Sequence, residues 1–285
     1  MKWYEYVSRY RSHDPGRYSP LYFLGRRVGR VAAHLETVMD RVAEDDVIRA
    51  GDGWWAQGGD EALDRISTRL AAEKFIRSPT GERYHVLDIA SGEVVGTVER
   101  SAAIWFGMRT EGVHLNAFVR QEDGSIRIWL ARRAVTHRQF PGQLDNLVAG
   151  GLPAGYSWKA ALVEEAGEEA GLPASMLDAA HYAGTISYCF DTPDGLVDSE
   201  AHVFDLELPP SFKPSNHDGK VGGFLLMSLP EAEQLVLEED SFKFNCGLVM
   251  LDFLARHRDL AGPSDPMSRK SLLGARPTLA AREEL

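Results

Sequence analysis

Four glutamates in one short stretch, Glu164, Glu165, Glu168 and Glu169, combine residue type and spacing in a way that points to chemistry. They follow two adjacent glycines, Gly150 and Gly151, and a loop ending at Ser157, which can cap a helix. Gly171 stands where that helix would stop. A helix over 157–170 turns by about 100° per residue, so residues three and four apart share a face. Leu162, Val163, Ala166 and Ala170 then fall on one arc suited to facing a sheet. Glu165, Glu168 and Glu169 fall on the neighbouring arc, and Glu164 lies farther round the polar side. This arrangement is costly. Like charges four apart, as in Glu165 and Glu169, cost roughly a few tenths of a kcal/mol. Gly167 costs about 1 kcal/mol relative to alanine, and acids late in a helix oppose its dipole. A bound cation reverses much of this, and an all-oxygen donor set suits Mg²⁺ or Mn²⁺. The glycine pair can bring backbone N–H groups close to phosphate oxygens. The competing reading is an acidic helix face that is simply solvated.

Several other side chains are candidates for the same chemistry. Arg132 and Arg133 end a predicted strand; alternation sends them to opposite sides, one towards a phosphate and the other to solvent. Asp145 and Asn146 stand just before the glycine pair, fit to support the loop or bind substrate. Asp218, Lys220 and His217 share a later polar loop, and Phe140, Tyr156 or Trp158 could stack on a ring. Cys246 has no Cys/His constellation around it in sequence and reads as a small buried residue.

The elements that must position these groups form two parts. Runs at 113–119 and 125–132 bracket the turn residues Glu122, Asp123 and Gly124, which predicts a hairpin. A short buried strand at 147–149 leads into the glycine pair. Further strands are expected around 180–190, 201–208 and 223–227, with helices over 231–237 and 242–257. Before position 110 the reading is strands at 21–25 and 28–31, a helix over 34–41, a second through Ala62, Leu63, Ile66, Leu70 and Ala71, and strands at 84–87 and 93–98. The expected organisation is an α+β domain over 1–110, the site-bearing domain over 111–260, and a mobile tail over 261–285.

With 285 residues, 44% of them hydrophobic, the chain can bury a sizeable core. Its formal charge of -11 argues against broad nucleic-acid binding, which needs a basic surface, and leaves local cations or a metal to receive a phosphorylated ligand. Only Cys189 and Cys246 are present, so no disulfide scaffold is expected. The start lacks the pattern of a signal peptide, and no apolar run reaches about 18 residues. The expected location is the cytoplasm, with no membrane partner.

Gly150, Glu165, Glu168, Glu169, Gly171 and Leu172 match the Nudix box at its principal spacing, and in this the chain resembles the Nudix hydrolases. The departures are Tyr156, where the box usually has Glu, and Glu164, where it usually has a basic residue that would orient the next glutamate. The resemblance extends outwards through Glu99-Arg100, Phe106-Gly107, the stretches 112–116, 129–133 and 141–146, and then 205–209, 214–221 and 242–246. That series is similar to the thiamine-pyrophosphokinase-related Nudix group, whose members carry an extra N-terminal domain. The resemblance implies an α/β/α sandwich with a mixed sheet, preceded by a smaller α+β domain. It also implies a metal-dependent hydrolase of a diphosphate linkage, with Glu165, Glu168 and Glu169 as catalytic metal ligands and the Gly150 carbonyl as a further ligand. Arg132, Arg133, Asp145, Asn146 and Lys220 are then expected to bind substrate. In that group an acid often follows the later Asp-Gly, where this chain has Lys220. The implied substrate is thiamine diphosphate or an altered form of it. A nucleoside diphosphate derivative, or ligand binding without catalysis, are the alternatives. The expected partner is a small-molecule diphosphate, and a dimer is compatible with the sequence.

Overall fold

The computed structural model describes residues 3–137, 139–238 and 241–257. After helix α1 (Trp3–Arg9), the chain builds a sheet from β1 (Tyr18–Phe23), β2 (Arg26–Ala32), β3 (Val47–Ala50) and β4 (Gly53–Ala56), in the order β2-β1-β4-β3. Helices α2 (Glu36–Ala43) and α3 (Asp60–Ala72) supply Met39, Val42, Leu63, Ile66 and Leu70 to one core with Leu21, Phe23, Val28 and Val31 of the sheet. The spacing of those helical residues is the i, i+3, i+4 repeat that makes a single apolar stripe. Burying each such side chain is worth about 1.5–3 kcal/mol. A separate antiparallel hairpin, β5 (Arg83–Leu87) and β6 (Val94–Glu99), adds Tyr84, Val86 and Val98 to that core. The helix expected over 34–41 is a 3-10 turn, Ala33–Leu35, followed by α2.

The second part is a mixed sheet between helices. Strands β7 (Arg109–Arg120) and β8 (Ile126–Arg133) form the expected hairpin. Short strands β9 (Leu144–Asn146) and β10 (Val148–Gly151) pair with β8 and β7. Helices α4 (Trp158–Ala170) and α5 (Ala174–Leu177) follow, and then β11 (His181–Thr192), β12 (Gly195–Glu207) and β13 (Val221–Ser228). The main path is β11-β12-β7-β8-β13, in which β12 and β7 are parallel and the other neighbours antiparallel. Helices α6 (Leu229–Leu237) and α7 (Phe244–His257) complete it. Period-two alternation along β7 explains the layering. Val113, Leu115, Ala117 and Val119 share a core with Leu162 and Ala166 of α4. Phe118, on the opposite face, joins the core of α6 and α7. The result is the expected α/β/α sandwich preceded by a smaller α+β region.

Chain order and packing diverge at the start. Tyr6 of α1 is fully buried with α7, and its hydroxyl donates to the Phe244 carbonyl at 3.3 Å. The first helix therefore packs with the second part, although it precedes the first. The two parts also meet through buried charge, Arg30 of β2 lying 3.2 Å from Asp198 of β12. The tail expected over 261–285 lies outside the described residues.

Candidate active site

Strand β10 ends in the glycine pair, and each glycine answers to a different neighbour. A Cβ at Gly150 would lie 2.3 Å from Glu165 Cδ, and one at Gly151 would lie 2.0 Å from Tyr84 Oη. The missing side chains let the carboxylate helix approach from one direction and the β5–β6 hairpin from another. The loop is tied to that hairpin by the Ala154 N–H, which donates to the Arg83 carbonyl at 2.7 Å, and by the Gly155 N–H, which donates to His85 Nε2 at 3.2 Å. Ser157 then caps α4, its Oγ accepting from the Ala160 N–H at 3.2 Å. At the other end Gly171 takes φ 65° and the Leu172 N–H reaches back to the Ala166 carbonyl at 3.0 Å.

The helix presents its acids as the spacing predicts. Glu164 is exposed, Glu165 is partly buried, Glu168 is exposed and Glu169 is buried against β10, where its Oε2 accepts from the Ala149 N–H at 3.1 Å. A loop from the far side closes on the end of α4. The Ser215 N–H donates to the Ala170 carbonyl at 3.0 Å, and the His217 N–H to the Glu168 carbonyl at 2.8 Å. That loop carries Lys220, whose Nζ lies 2.8 Å from Asp218 Oδ2, 3.5 Å from Glu168 Oε2 and 3.7 Å from Glu165 Oε2.

The electrostatics follow from this crowding. Burial, then the charges of Glu165 and Asp145, push the Glu169 carboxyl up to about 8, against the pull of the Ala149 N–H. Burial also raises Glu165, opposed by the Lys220 and Arg100 charges. Desolvation works to lower the Lys220 pKa, but the bond to Asp218 and the nearby glutamates outweigh it and hold the ammonium above its usual value. Among the described residues no three His, Cys, Asp or Glu side chains already converge on one point. Glu165, Glu168 and Asp218 stand around the Lys220 ammonium, a cation among oxygen donors. A hard divalent ion fits that chemistry.

Comparison with known proteins agrees with the geometry. The NUDIX domain family matches residues 111–246, which run from β7 into α7 and include the whole carboxylate helix. Residues 111–246 are a NUDIX domain. The chain is 39% identical over 176 residues to a protein of Arabidopsis thaliana named Nudix hydrolase 20, chloroplastic, covering 62% of this chain and 47% of that one. To Nudix hydrolase 24, chloroplastic, of the same plant it is 38% identical over 211 residues, covering 72% of this chain and 56% of that one. The chain thus spans about half the length of these curated relatives. Among solved structures it is similar to the NUDIX domain of Shewanella oneidensis NrtR complexed with ADP ribose. That likeness has 12% identity and a TM-score of 0.42, covering 53% of this chain and 90% of that one.

The other residues singled out in the sequence divide into two groups within the NUDIX domain. Lys220 meets the box acids. Arg133 points inwards, its Nη1 2.7 Å from Asp145 Oδ2 and its Nε donating to the Gln139 carbonyl at 3.0 Å. Arg132, next along the strand, is exposed and donates to the Gly142 carbonyl at 2.9 Å. Asp145 also receives the Cys246 thiol, and the charges of Lys243 and Arg133 hold its carboxyl low although burial pushes it up. Asn146 joins a buried network, its Oδ1 accepting from His114 Nδ1 at 2.9 Å and its Nδ2 donating to Asn116 Oδ1 at 3.1 Å. Tyr156 and Phe140 are exposed, while Trp158 stacks on His202 with ring centroids 3.8 Å apart.

Sequence reading gave no role to three residues that the structure brings near the site. Tyr84 covers Gly151, Arg100 lies over the Tyr84 ring at 5.5 Å and pairs with Glu82, and Lys243 stands near Asp145. Arg100 and Lys243 lie within the stretches that carried the family resemblance, which was the available signal. A cleft of about 540 Å³ opens beside the hairpin that carries Tyr84, lined by Glu82, Arg83, His85 and Thr97 of the first part and Tyr156 of the box loop.

Proposed function

We propose that this protein is a metal-dependent hydrolase of a diphosphate linkage, and that its substrate is thiamine diphosphate or a modified form of it. The observation that carries the hydrolase reading is the placing of Glu165 and Glu168 around a cation, with Glu169 of the same helix bonded to the strand that ends in the glycine pair. Glu165, Glu168, Glu169 and the Gly150 carbonyl would hold Mg²⁺ or Mn²⁺. When bound, the ion supplies charge neutralisation on the phosphates and a more acidic water. The chain's own contribution is positional. Glu169 is fixed by the Ala149 N–H, Glu165 is held in the space left by Gly150, and one of these acids takes the proton of the attacking water. Lys220 offers an ammonium to phosphate oxygens. Arg133 paired with Asp145, and Asn146 held by His114, support β8 and β9 beside the site, and Arg132 is the exposed arginine of that strand end. Water adds to the terminal phosphorus, the bridging P–O bond breaks, and a monophosphate and orthophosphate leave.

The cleft between the β5–β6 hairpin and the box loop supports a selecting role for the first part, with Tyr156 available to a ring. Cys189 and Cys246 are both buried and neither is in a disulfide, which supports a reducing compartment such as the cytoplasm. No helix among the described residues is long and apolar enough to cross a membrane. A binding-only reading has one observation in its favour, the Lys220 ammonium among the acids. The deciding experiment is phosphate release with Mg²⁺ or Mn²⁺ across thiamine, nucleoside and isoprenoid diphosphates. The thiamine compounds are expected to give the highest kcat/KM. A faster nucleoside derivative would replace the substrate, and tight binding with no phosphate released from any compound would replace the hydrolase.

A further inference from the structure

We propose that Lys220 is a tethered cation that holds the place of a divalent ion in the substrate-free site, so that metal is admitted efficiently only when a diphosphate draws the ammonium away. The inference rests on the hydrolase reading in one respect, that the box acids take a divalent ion.

Three observations point this way. The ammonium lies among three acids, 2.8 Å from Asp218, 3.5 Å from Glu168 and 3.7 Å from Glu165, and two of these are box acids. Its backbone is fixed. The Lys220 N–H donates to Asp218 Oδ1 at 2.8 Å and its carbonyl accepts from the Ala134 N–H at 2.9 Å. The turn before it is closed by Asn216, whose Oδ1 accepts from the Asp218 N–H at 3.1 Å and the Gly219 N–H at 3.2 Å. The loop is therefore built to deliver this side chain. Yet the side chain itself is 43% exposed, so it can exchange partners without moving the backbone.

The charge balance gives the consequence. One ammonium cannot neutralise Glu165, Glu168 and Asp218, so the cluster still attracts cations, but a divalent ion entering alone must approach or displace a like charge. A diphosphate brings several anionic oxygens that accept from an ammonium as well as a carboxylate does. With the ammonium on phosphate, the box oxygens are released. Metal and diphosphate affinity are then coupled, each raising the other.

The test is Mn²⁺ binding to the full chain, read as free Mn²⁺ by electron paramagnetic resonance, for the wild type, Lys220→Met and Lys220→Gln. Lys159→Met, which removes the same charge from the start of α4 where Lys159 pairs with Asp178, is the control. Thermal melting establishes that each variant is folded, and Lys220→Gln serves if Lys220→Met is not. Lys220→Met is expected to bind Mn²⁺ at least tenfold tighter than the wild type, and Lys159→Met within twofold of it. Methylenediphosphonate is expected to raise the wild-type Mn²⁺ affinity more than that of Lys220→Met. Lys220→Met within twofold of a wild type that does bind Mn²⁺ would overturn the inference and leave the hydrolase reading standing. An equal gain from Lys159→Met would overturn it as a mere effect of net charge. Absence of Mn²⁺ binding in every variant would overturn both.

Discussion

Two polar clusters lie on opposite sides of strand β7, and they are built on opposite principles. Behind the sheet, His114, Asn146, Asn116, Asp205, Arg256 and Asp252 form a closed chain. His114 meets Asn146 at 2.9 Å, Asn146 donates to Asn116 at 3.1 Å, Asn116 donates to Asp205 at 3.1 Å, and Arg256 joins Asp205 to Asp252. In front, Glu165, Glu168 and Asp218 share one ammonium, with Glu169 buried beside them. The rear cluster spends its hydrogen bonds on one another, as buried polar groups must to avoid a desolvation penalty of about 1–3 kcal/mol each. The front cluster leaves negative charge under-compensated, and burial, with the charges of Glu165 and Asp145 added to it, pushes its buried member Glu169 up to about 8. A fold tolerates such a deficit where a ligand relieves it. Burial of polar groups alone does not mark function; the imbalance does.

That contrast can be broken most severely at the front. Glu168→Gln and Glu169→Gln are each expected to lower kcat by roughly a thousandfold, about 4 kcal/mol of barrier. The melting temperature of Glu169→Gln should hold or rise, because burial already favours the neutral carboxyl and the amide is neutral at every pH. Equal activity of both variants with the wild type would remove the front cluster from the reaction. At the rear the effect should fall on stability instead. Asp205→Ala leaves Arg256 short of a partner and is expected to cost about 3 kcal/mol in denaturant unfolding, with kcat/KM of the folded enzyme within a few-fold.

A smaller effect is expected from crowding the two elements that meet in front. Gly150→Ala puts a Cβ where the Glu165 side chain packs, and should lower kcat/KM by roughly ten- to a hundredfold while the protein stays folded. The gentlest probe is protonation at the rear. Desolvation, then the Lys243 charge, lowers His114 from 6.5 to about 4, although the bond to Asn146 opposes this. The unfolded chain therefore takes up this proton first, and the group's contribution to folding is lost as pH falls from about 6.5 towards 4. Its imidazole NMR signals are expected to stay constant from pH 8 to pH 5.5. Titration near 6.5 would mean that the rear cluster is open to water.

Much of the front cluster was legible in the sequence because it is local. Ser157 as cap, Gly171 as stop and the arcs of Leu162, Ala166, Glu165 and Glu169 depend only on helical periodicity. The turn around Gly124 similarly announced the β7–β8 hairpin, and alternation sorted Arg132 from Arg133. What was not legible depends on distant partners. Helix α1 is too short to show a period, and Tyr6 gains its burial from α7. Strand β4 is held by parallel pairing to β1, with Trp54 opposite Leu21, which no local turn signal reports. Lys220 could be placed on a polar loop after Asp218 and Gly219. Its meeting with Glu165 and Glu168 requires the bonds from Ser215 and His217 to the end of α4.

The most direct test is the rate of orthophosphate release from thiamine diphosphate by the wild-type chain, followed by ³¹P NMR as Mg²⁺ is titrated in and then stripped with a chelator. The rate should rise from background with added metal, saturate, and fall back on chelation while the protein remains folded. A rate indifferent to both additions would contradict a divalent-metal site on α4.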